Sequence, residues 1–345
     1  MSIAVLGAGS WGTALARMLA RKGLPVNLWV YEEELVTIIN ETRVNSFYLD
    51  GYEIPENLHA SNNIEEVLKD ATMVVSVTPS HAVRPVWGQC AGLVPADVPI
   101  VCCSKGIEIG TGKLMSDILP ECFPEHPPHL FTYLSGPSFA KEVAEEHPTA
   151  VVIAGEDDEV VAKVQRAFRT PFFMTFTNHD VRGVEIGGAL KNVLAIGTGI
   201  VEGLGLGHNT RAALITRGLY EMIKLGRFLG AESITFAGLA GMGDLILTCT
   251  GGLSRNRRVG LALGEGKSLQ EILDQMNMVA EGVKTAKAVH ELMQQHNINA
   301  PICQAVYQII YEGKEPAAAV RELSSMELNE ELGALQEKQL LQSEG

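Results

Sequence analysis

Near the amino terminus a short apolar run, Ile3 to Leu6, meets three glycines, Gly7, Gly9 and Gly12. A helical pattern follows through Leu15, Met18 and Leu19. Strand, tight turn and helix in that order, with G-x-G-x-x-G spacing, predict a dinucleotide-binding unit. Each glycine has its own duty. Gly7 allows the turn, Gly9 lets backbone approach a pyrophosphate, and Gly12 lets helix and strand pack closely. The phosphates would rest on free N–H groups at the positive end of the helix. A glycine-rich turn without a ligand is the competing reading, and the buried-type strand and amphipathic helix on either side argue against it.

The rest of the chain has to supply a sheet for that unit and a partner for its ligand. At 345 residues it has room for two domains. Hydrophobic residues make up 46% and charged ones 20%, as in an ordinary globular protein. A formal charge of −14 disfavours nucleic acid as a partner through phosphate repulsion. The apolar runs are broken by Glu185, Lys191, Glu202, Asp244 and Arg255 before bilayer length, so no membrane span is expected. No signal peptide is expected either, since the first strand begins directly after Met1. The six cysteines form no C-x-x-C pair, which fits free thiols in a reducing, cytoplasmic setting.

Strand-like runs alternate with helical patterns through the first half. Strands are expected at 26–30, 73–77, 100–103, 130–134, 150–154 and 172–175, with helices at 35–42, 64–68, 81–89, 114–119 and 159–168. Asn45 to Asn57 reads as a loop. That alternation predicts an α/β fold with a parallel, doubly wound, Rossmann-type sheet whose ligand lies beyond the carboxyl ends of its strands. Three polar loops fall at such ends: Thr78 to Ser80, Ser104 to Gly106 and Ser135 to Ser138. After Asn178 the periodicity turns almost wholly helical, beginning with a long apolar stretch at 184–201. The expected division is a dinucleotide-binding domain at 1–180, a mostly α-helical domain at 181–324 and a polar tail at 325–345.

Four features carry chemistry. Lys191 sits in the most apolar helix, where burial lowers an ammonium pKa toward that of a useful proton donor. Snorkelling to the surface is its alternative. Asp244 follows a glycine-rich stretch, 238–243, taken as a flexible loop, and requires a cation if it is buried; Lys191 is the candidate. A helix N-cap is nearly as good a reading of Asp244. Ser254 to Arg258 aligns hydroxyl, amide and guanidinium donors suited to phosphate, against the default of a solvated charge run. Glu32, about 20 residues past the last glycine, is either a ribose-binding acid or an acid favouring a helix N-terminus. Gly264 to Ser268 lacks the first glycine of a phosphate loop; His290 and His296 are wrongly spaced for zinc, and His81, His179 and His208 show no ligand pattern, so no metal site is expected.

Taken together, the segments Gly7–Ala14, Ser104–Gly106, Ser135–Ala140, Gly188–Val193, Gly241–Asp244, Leu247–Thr250 and Ser254–Arg258 closely resemble the bacterial NAD(P)-dependent glycerol-3-phosphate dehydrogenases. The resemblance covers essentially the whole chain. It implies interconversion of dihydroxyacetone phosphate and sn-glycerol 3-phosphate with NAD or NADP, in service of glycerophospholipid synthesis. It places Ser10, Trp11, Tyr31, Lys105 and Ala140 at the cofactor, with Arg255, Val279 and Glu281 closing on it. Lys105, Gly136, Ser138, Lys191, Asp244, Ser254, Arg255 and Asn256 would hold substrate. Lys191 would be the general acid in reduction and the base in oxidation, assisted by Asp244 and Lys105. A homodimer is the default assembly. The chain departs from the family at Tyr31, where many members carry Arg or His. Tyr brings no charge and Glu32 beside it would repel a 2′-phosphate, so either cofactor is expected, with a lean toward NADH.

Overall fold

A computed structural model describes residues 2–276 and 280–326. Among the described residues, fifteen α-helices and eight strands follow in chain order. The first half runs β1 (Ser2–Leu6), α1 (Ser10–Arg21), β2 (Val26–Trp29), α2 (Glu33–Thr42), β3 (Leu58–Ser61), α3 (Ile64–Leu68), β4 (Ala71–Ser76) and α4 (Val83–Gln89). It continues with β5 (Ile100–Cys102), α5 (Met115–Cys122), β6 (Phe131–Ser135), α6 (Ala140–Ala144), β7 (Thr149–Gly155), α7 (Asp158–Phe168) and β8 (Phe173–Asn178). The second half is helical: α8 (Val181–Gly203), α9 (His208–Phe228), α10 (Asp244–Thr250), α11 (Arg255–Gly264), α12 (Leu269–Asp274), α13 (Glu281–His296), α14 (Pro301–Tyr311) and α15 (Pro316–Ser325).

The strands form one sheet in the order β3-β2-β1-β4-β5-β6-β7-β8. The order reverses between β1 and β4, and a crevice opens above the carboxyl ends of strands at such a switch point. The core strands are apolar on both faces, because helices cover both sides; Ala4, Val5 and Leu6 are fully buried. Two expectations about the sheet are corrected. It is not wholly parallel: β7 runs antiparallel to β6, while β8 runs parallel to β7. The connection from β6 to β7 runs through the short helix α6 and returns the chain beside β6 in the opposite direction. A further strand, β3, lies outside the expected set: Leu58–Ser61 alternates buried and less buried positions, but over only four residues.

Helix α8 organises the second half. Nineteen of its residues are buried, from Gly183 to Val201, so it shows no polar face. It is long and apolar enough to cross a membrane, yet 94% of its apolar window is buried inside the protein, as in a core helix. Its glycines let α11 lie directly against it. A Cβ on Gly199 would stand 2.1 Å from the Arg257 carbonyl oxygen, and one on Gly260 would stand 2.0 Å from that of Ile196. Any side chain there would push the two backbones apart. The amino-terminal turns of α8 pack on Val152 and Ala154 of β7, which ties the helical half to the sheet. The stretch 238–243 is no flexible loop. Leu239–Gly243 forms one π-helical turn that runs straight into α10, with Ala240 and Gly241 buried against Gly187 and Phe236.

Candidate active site

The glycine turn is built by exclusion. Gly7 has φ +118°, and a Cβ there would meet the Val77 carbonyl oxygen at 2.9 Å. A Cβ on Gly12 would lie 1.8 Å from the Gly7 carbonyl oxygen, so only glycine lets α1 start this close to β1. Gly9 differs: nothing lies within 4 Å of its missing Cβ. Gly9 is also the N-cap of α1 and makes no side-chain capping hydrogen bond. Thr78 and Ser135, at the carboxyl ends of β4 and β6, are 3% exposed and each keeps a hydroxyl without a hydrogen-bond partner. The Trp11 Nε1 is likewise buried and unpartnered. An open glycine, an uncapped helix end and orphaned hydroxyls fit the diphosphate and ribose of a dinucleotide.

Opposite the turn, three elements bring two lysines to one carboxylate. Lys105 follows β5, Lys191 lies in mid-α8 and Asp244 opens α10. Asp244 Oδ1 accepts from Lys191 Nζ at 2.5 Å, and Oδ2 accepts from Lys105 Nζ at 2.7 Å. Lys191 also donates to Thr248 Oγ1 at 3.0 Å, and Lys105 to the Gly136 carbonyl at 3.3 Å. Lys191 is 8% exposed and Asp244 1%, which sets aside both snorkelling and the surface N-cap: Gly243, not Asp244, is the N-cap of α10. Burial works to raise the Asp244 carboxyl, but Lys105 and Lys191 outweigh it and hold the group below the usual carboxylate range. Burial pulls Lys191 down to about 8; Asp244 opposes that shift and Lys105 adds to it. Gly188 makes the approach possible, since a Cβ there would meet Ser135 Oγ at 2.8 Å and the Lys105 stem at 3.3 Å.

The basic run divides. Ser254 caps α11, its Oγ accepting from the Arg257 N–H at 3.2 Å. Arg257 turns away to Glu202 of α8 at 2.5 Å, so it is no part of an anion site. Arg255 is half-buried; burial lowers its pKa, Glu281 raises it and Arg258 lowers it. Asn256 is buried, its amide nitrogen donating to Asn192 Oδ1 at 2.8 Å and its oxygen accepting from Gly282 N at 2.9 Å. Ser138 Oγ donates to the Gly136 carbonyl at 2.9 Å, and Ala140 begins α6. Glu281, expected at the cofactor, uses both oxygens on Ser80, accepting from its N–H at 3.1 Å and its hydroxyl at 2.6 Å. Tyr31 is 80% exposed just past β2. Val279 lies outside the described residues.

Thr248 and Asn192 are the members that sequence reasoning missed. Thr248 stands four residues after Asp244 on the same helix face, the spacing that could have disclosed it. Asn192 directly follows Lys191 and supports Asn256, a link no local pattern announces.

Comparison with known proteins decides the family. The amino-terminal part of the NAD-dependent glycerol-3-phosphate dehydrogenase family matches residues 2–161, and its carboxy-terminal part matches residues 180–321. The chain belongs to the NAD-dependent glycerol-3-phosphate dehydrogenase family. A glycerol-3-phosphate dehydrogenase [NAD(P)+] of Geobacter metallireducens is 54% identical over 331 residues, covering 96% of this chain and 99% of its own. That of Myxococcus xanthus is 48% identical over 331 residues, with the same two coverages. Among solved structures, glycerol-3-phosphate dehydrogenase from Coxiella burnetii superposes with a TM-score of 0.91 at 42% identity, covering 94% of this chain and 99% of that one. The yeast enzyme gives 0.79 at 33% identity, over 93% and 98%. D-mandelate dehydrogenase, at 14% identity and a TM-score of 0.60, shares the fold alone.

Proposed function

We propose that this member of the glycerol-3-phosphate dehydrogenase family reduces dihydroxyacetone phosphate to sn-glycerol 3-phosphate, reversibly, with NAD(H) or NADP(H). The observation that carries the reading is the buried Lys191 ammonium, fixed by Asp244 and Thr248 where α8 meets the sheet crevice. When bound, the nicotinamide supplies or takes up the hydride at C2 of the substrate. Lys191 does the proton work. An ammonium has three protons, and two of these are committed, to Asp244 and Thr248, which leaves one for the substrate's C2 oxygen. Its pKa near 8 lets the same amine give a proton in reduction and take one in oxidation. Lys105 also has two partners and one proton left, so it adds a second donor beside the first.

Asp244 fixes both amines without taking up their proton, because the two cations keep it ionised. Arg255 and Asn256, at the start of α11, are the groups we assign to the substrate phosphate, with Ser254 holding the helix turn that presents them. Anchoring the phosphate away from the reacting carbon orients the carbonyl before chemistry begins. The dinucleotide is assigned to Gly7, Gly9, Ser10, Trp11 and Gly12, with Ala140 and Glu281 at the rim of the crevice. All six cysteines are free thiols, which suits a reducing compartment such as the cytoplasm, and glycerophospholipid synthesis is the use we assign to the product.

Lys191→Ala tests the reading. Removing a general acid typically costs a factor of roughly 10² to 10⁴ in turnover. The expected result is that loss in kcat with NADH binding retained; turnover near that of the native protein would reject the assignment.

A further inference from the structure

The end of β2 holds a hydrogen-bonded pair that the proposed chemistry does not use. Glu32, the N-cap residue of α2, accepts from the Tyr48 hydroxyl at 2.5 Å. Tyr48 sits in the segment between α2 and β3, and that segment is anchored to the glycine turn itself. Asn45, fully buried, donates through Nδ2 to the Ala8 carbonyl and to Thr13 Oγ1, both at 2.8 Å. Its Oδ1 accepts from the Tyr48 N–H at 3.1 Å. Thr13 Oγ1 in turn donates to the same Ala8 carbonyl at 3.0 Å. On the other side, Gly7 N donates to the Trp29 carbonyl at 3.2 Å, which sets the end of β2 beside the turn. A continuous path therefore runs from Ala8 through Asn45 and Tyr48 to the Glu32 carboxylate.

The charge around that carboxylate has one sign. Glu33 and Glu34 follow it in the first turn of α2, and Tyr31 before it is neutral and exposed. The arginine at the far end of α2, Arg43, is committed to the carbonyls of Ile54, Pro55 and Leu58. Dinucleotide folds take the adenosine ribose at this strand end, where an acid accepts from the 2′-hydroxyl and a cation is needed for a 2′-phosphate.

We infer that Tyr48 is a positioning residue for cofactor choice: it holds the Glu32 carboxylate in place at the end of β2, where a 2′-hydroxyl is accepted and a 2′-phosphate repelled, so this chain prefers NAD(H) to NADP(H). The inference rests on the assignment of the dinucleotide to the glycine turn. A free carboxylate at the tip of a side chain could swing away from an incoming phosphate; one held by a tyrosine that is itself tied to the turn cannot. The hydrogen bond to Glu32, with burial, pushes the Tyr48 hydroxyl up to about 12, so the donor stays protonated through the working pH range.

The test is direct titration of NADH and NADPH, followed by quenching of tryptophan fluorescence, on the full chain and three variants. The native chain is expected to bind NADH about tenfold to a hundredfold more tightly than NADPH, the size of one close charge repulsion plus a lost hydrogen bond. Glu32→Gln should bring the two dissociation constants close together. Tyr48→Phe removes only the hydroxyl and should lower the NADPH-to-NADH ratio of dissociation constants by a smaller factor. Tyr48→Phe added to Glu32→Gln should change that ratio no further, since the tyrosine acts through the acid. A general loosening of the loop would weaken both cofactors alike and leave the ratio unmoved, which would overturn the role of Tyr48. Equal affinities in the native chain would overturn the preference while leaving the dinucleotide site intact. Failure of the native chain to bind either cofactor would overturn the site and the preference together.

Discussion

The two walls of the crevice are made by opposite means. The glycine wall works by what is missing: no side chain at Gly7, Gly9 or Gly12, no capping group on α1, and backbone N–H groups in place of charges. The lysine wall works by what is crowded in: two ammoniums on one buried carboxylate, with Thr248 filling the remaining acceptor position. The first is contiguous, six residues long. The second gathers Lys105, Lys191 and Asp244 from β5, α8 and α10, and exists only once the helical half is docked on the sheet. A backbone site costs the fold little, whereas a buried charge cluster is stable only when complete. That contrast predicts that the glycine wall can be damaged at Gly9, where space is open, with little harm to stability, and that the lysine wall cannot.

The largest effect is expected from Asp244→Ala. It leaves the buried Lys191 ammonium beside the half-buried Lys105 ammonium without a counter-charge, and breaking a buried pair costs about 3–5 kcal/mol. Urea unfolding should show that loss alongside lost turnover. An unchanged unfolding midpoint would mean that the cluster is solvated and that the two walls are alike.

The opposite variant is Gly9→Val. Gly9 has φ −63° and ψ 176°, open to any residue, and its missing Cβ points into empty space. Stability should fall by only about 1 kcal/mol, the cost of placing Val at a helix N-cap. NADH binding should weaken by about a hundredfold, because the new side chain occupies the place where backbone meets the diphosphate. A variant that binds NADH normally would show that the open space beside Gly9 is not where the ligand lies.

The same contrast explains what could be read in advance. The glycine turn, the alternation of strands and helices and the all-helical second half are local patterns, and each element appears within a few residues of its expected place. The failures are non-local. β3 alternates over only four residues and is held by its pairing with β2. The reversal at β7 is set by its pairing with β6, and residues 239–243 form a π-helical turn packed on Gly187 and Phe236. At the site, Lys191 and Asp244 were suspected as an isolated pair from the cost of burying either alone. The third member, Lys105, comes only from the family resemblance, because it reaches Asp244 across 139 positions that no spacing rule connects. The basic run misled in the other direction. Its five donors look parallel in sequence, yet the helical turn of α11 sends Arg257 to Glu202 and ties Asn256 to Asn192 and Gly282.

The finest comparison is in pH. The N–H dipoles assigned to the dinucleotide at the glycine wall do not titrate, so NADH affinity should be flat between about pH 7 and 9. The lysine wall contains an amine drawn down to about 8 by burial, with Lys105 adding to the shift against Asp244. Reduction needs that amine protonated, so kcat/KM for dihydroxyacetone phosphate should fall about tenfold per pH unit above 8. Oxidation needs it neutral, so kcat/KM for glycerol 3-phosphate should rise with the same slope below 8 and level off above it. The two profiles should cross near a single pH, because one proton on one amine governs both directions. Lys191→Arg, whose guanidinium keeps its proton throughout this range, should abolish the slope along with most of the turnover. Parallel profiles in the two directions would assign the pH dependence to binding, and Lys191 would then be a holder of substrate and not the carrier of its proton.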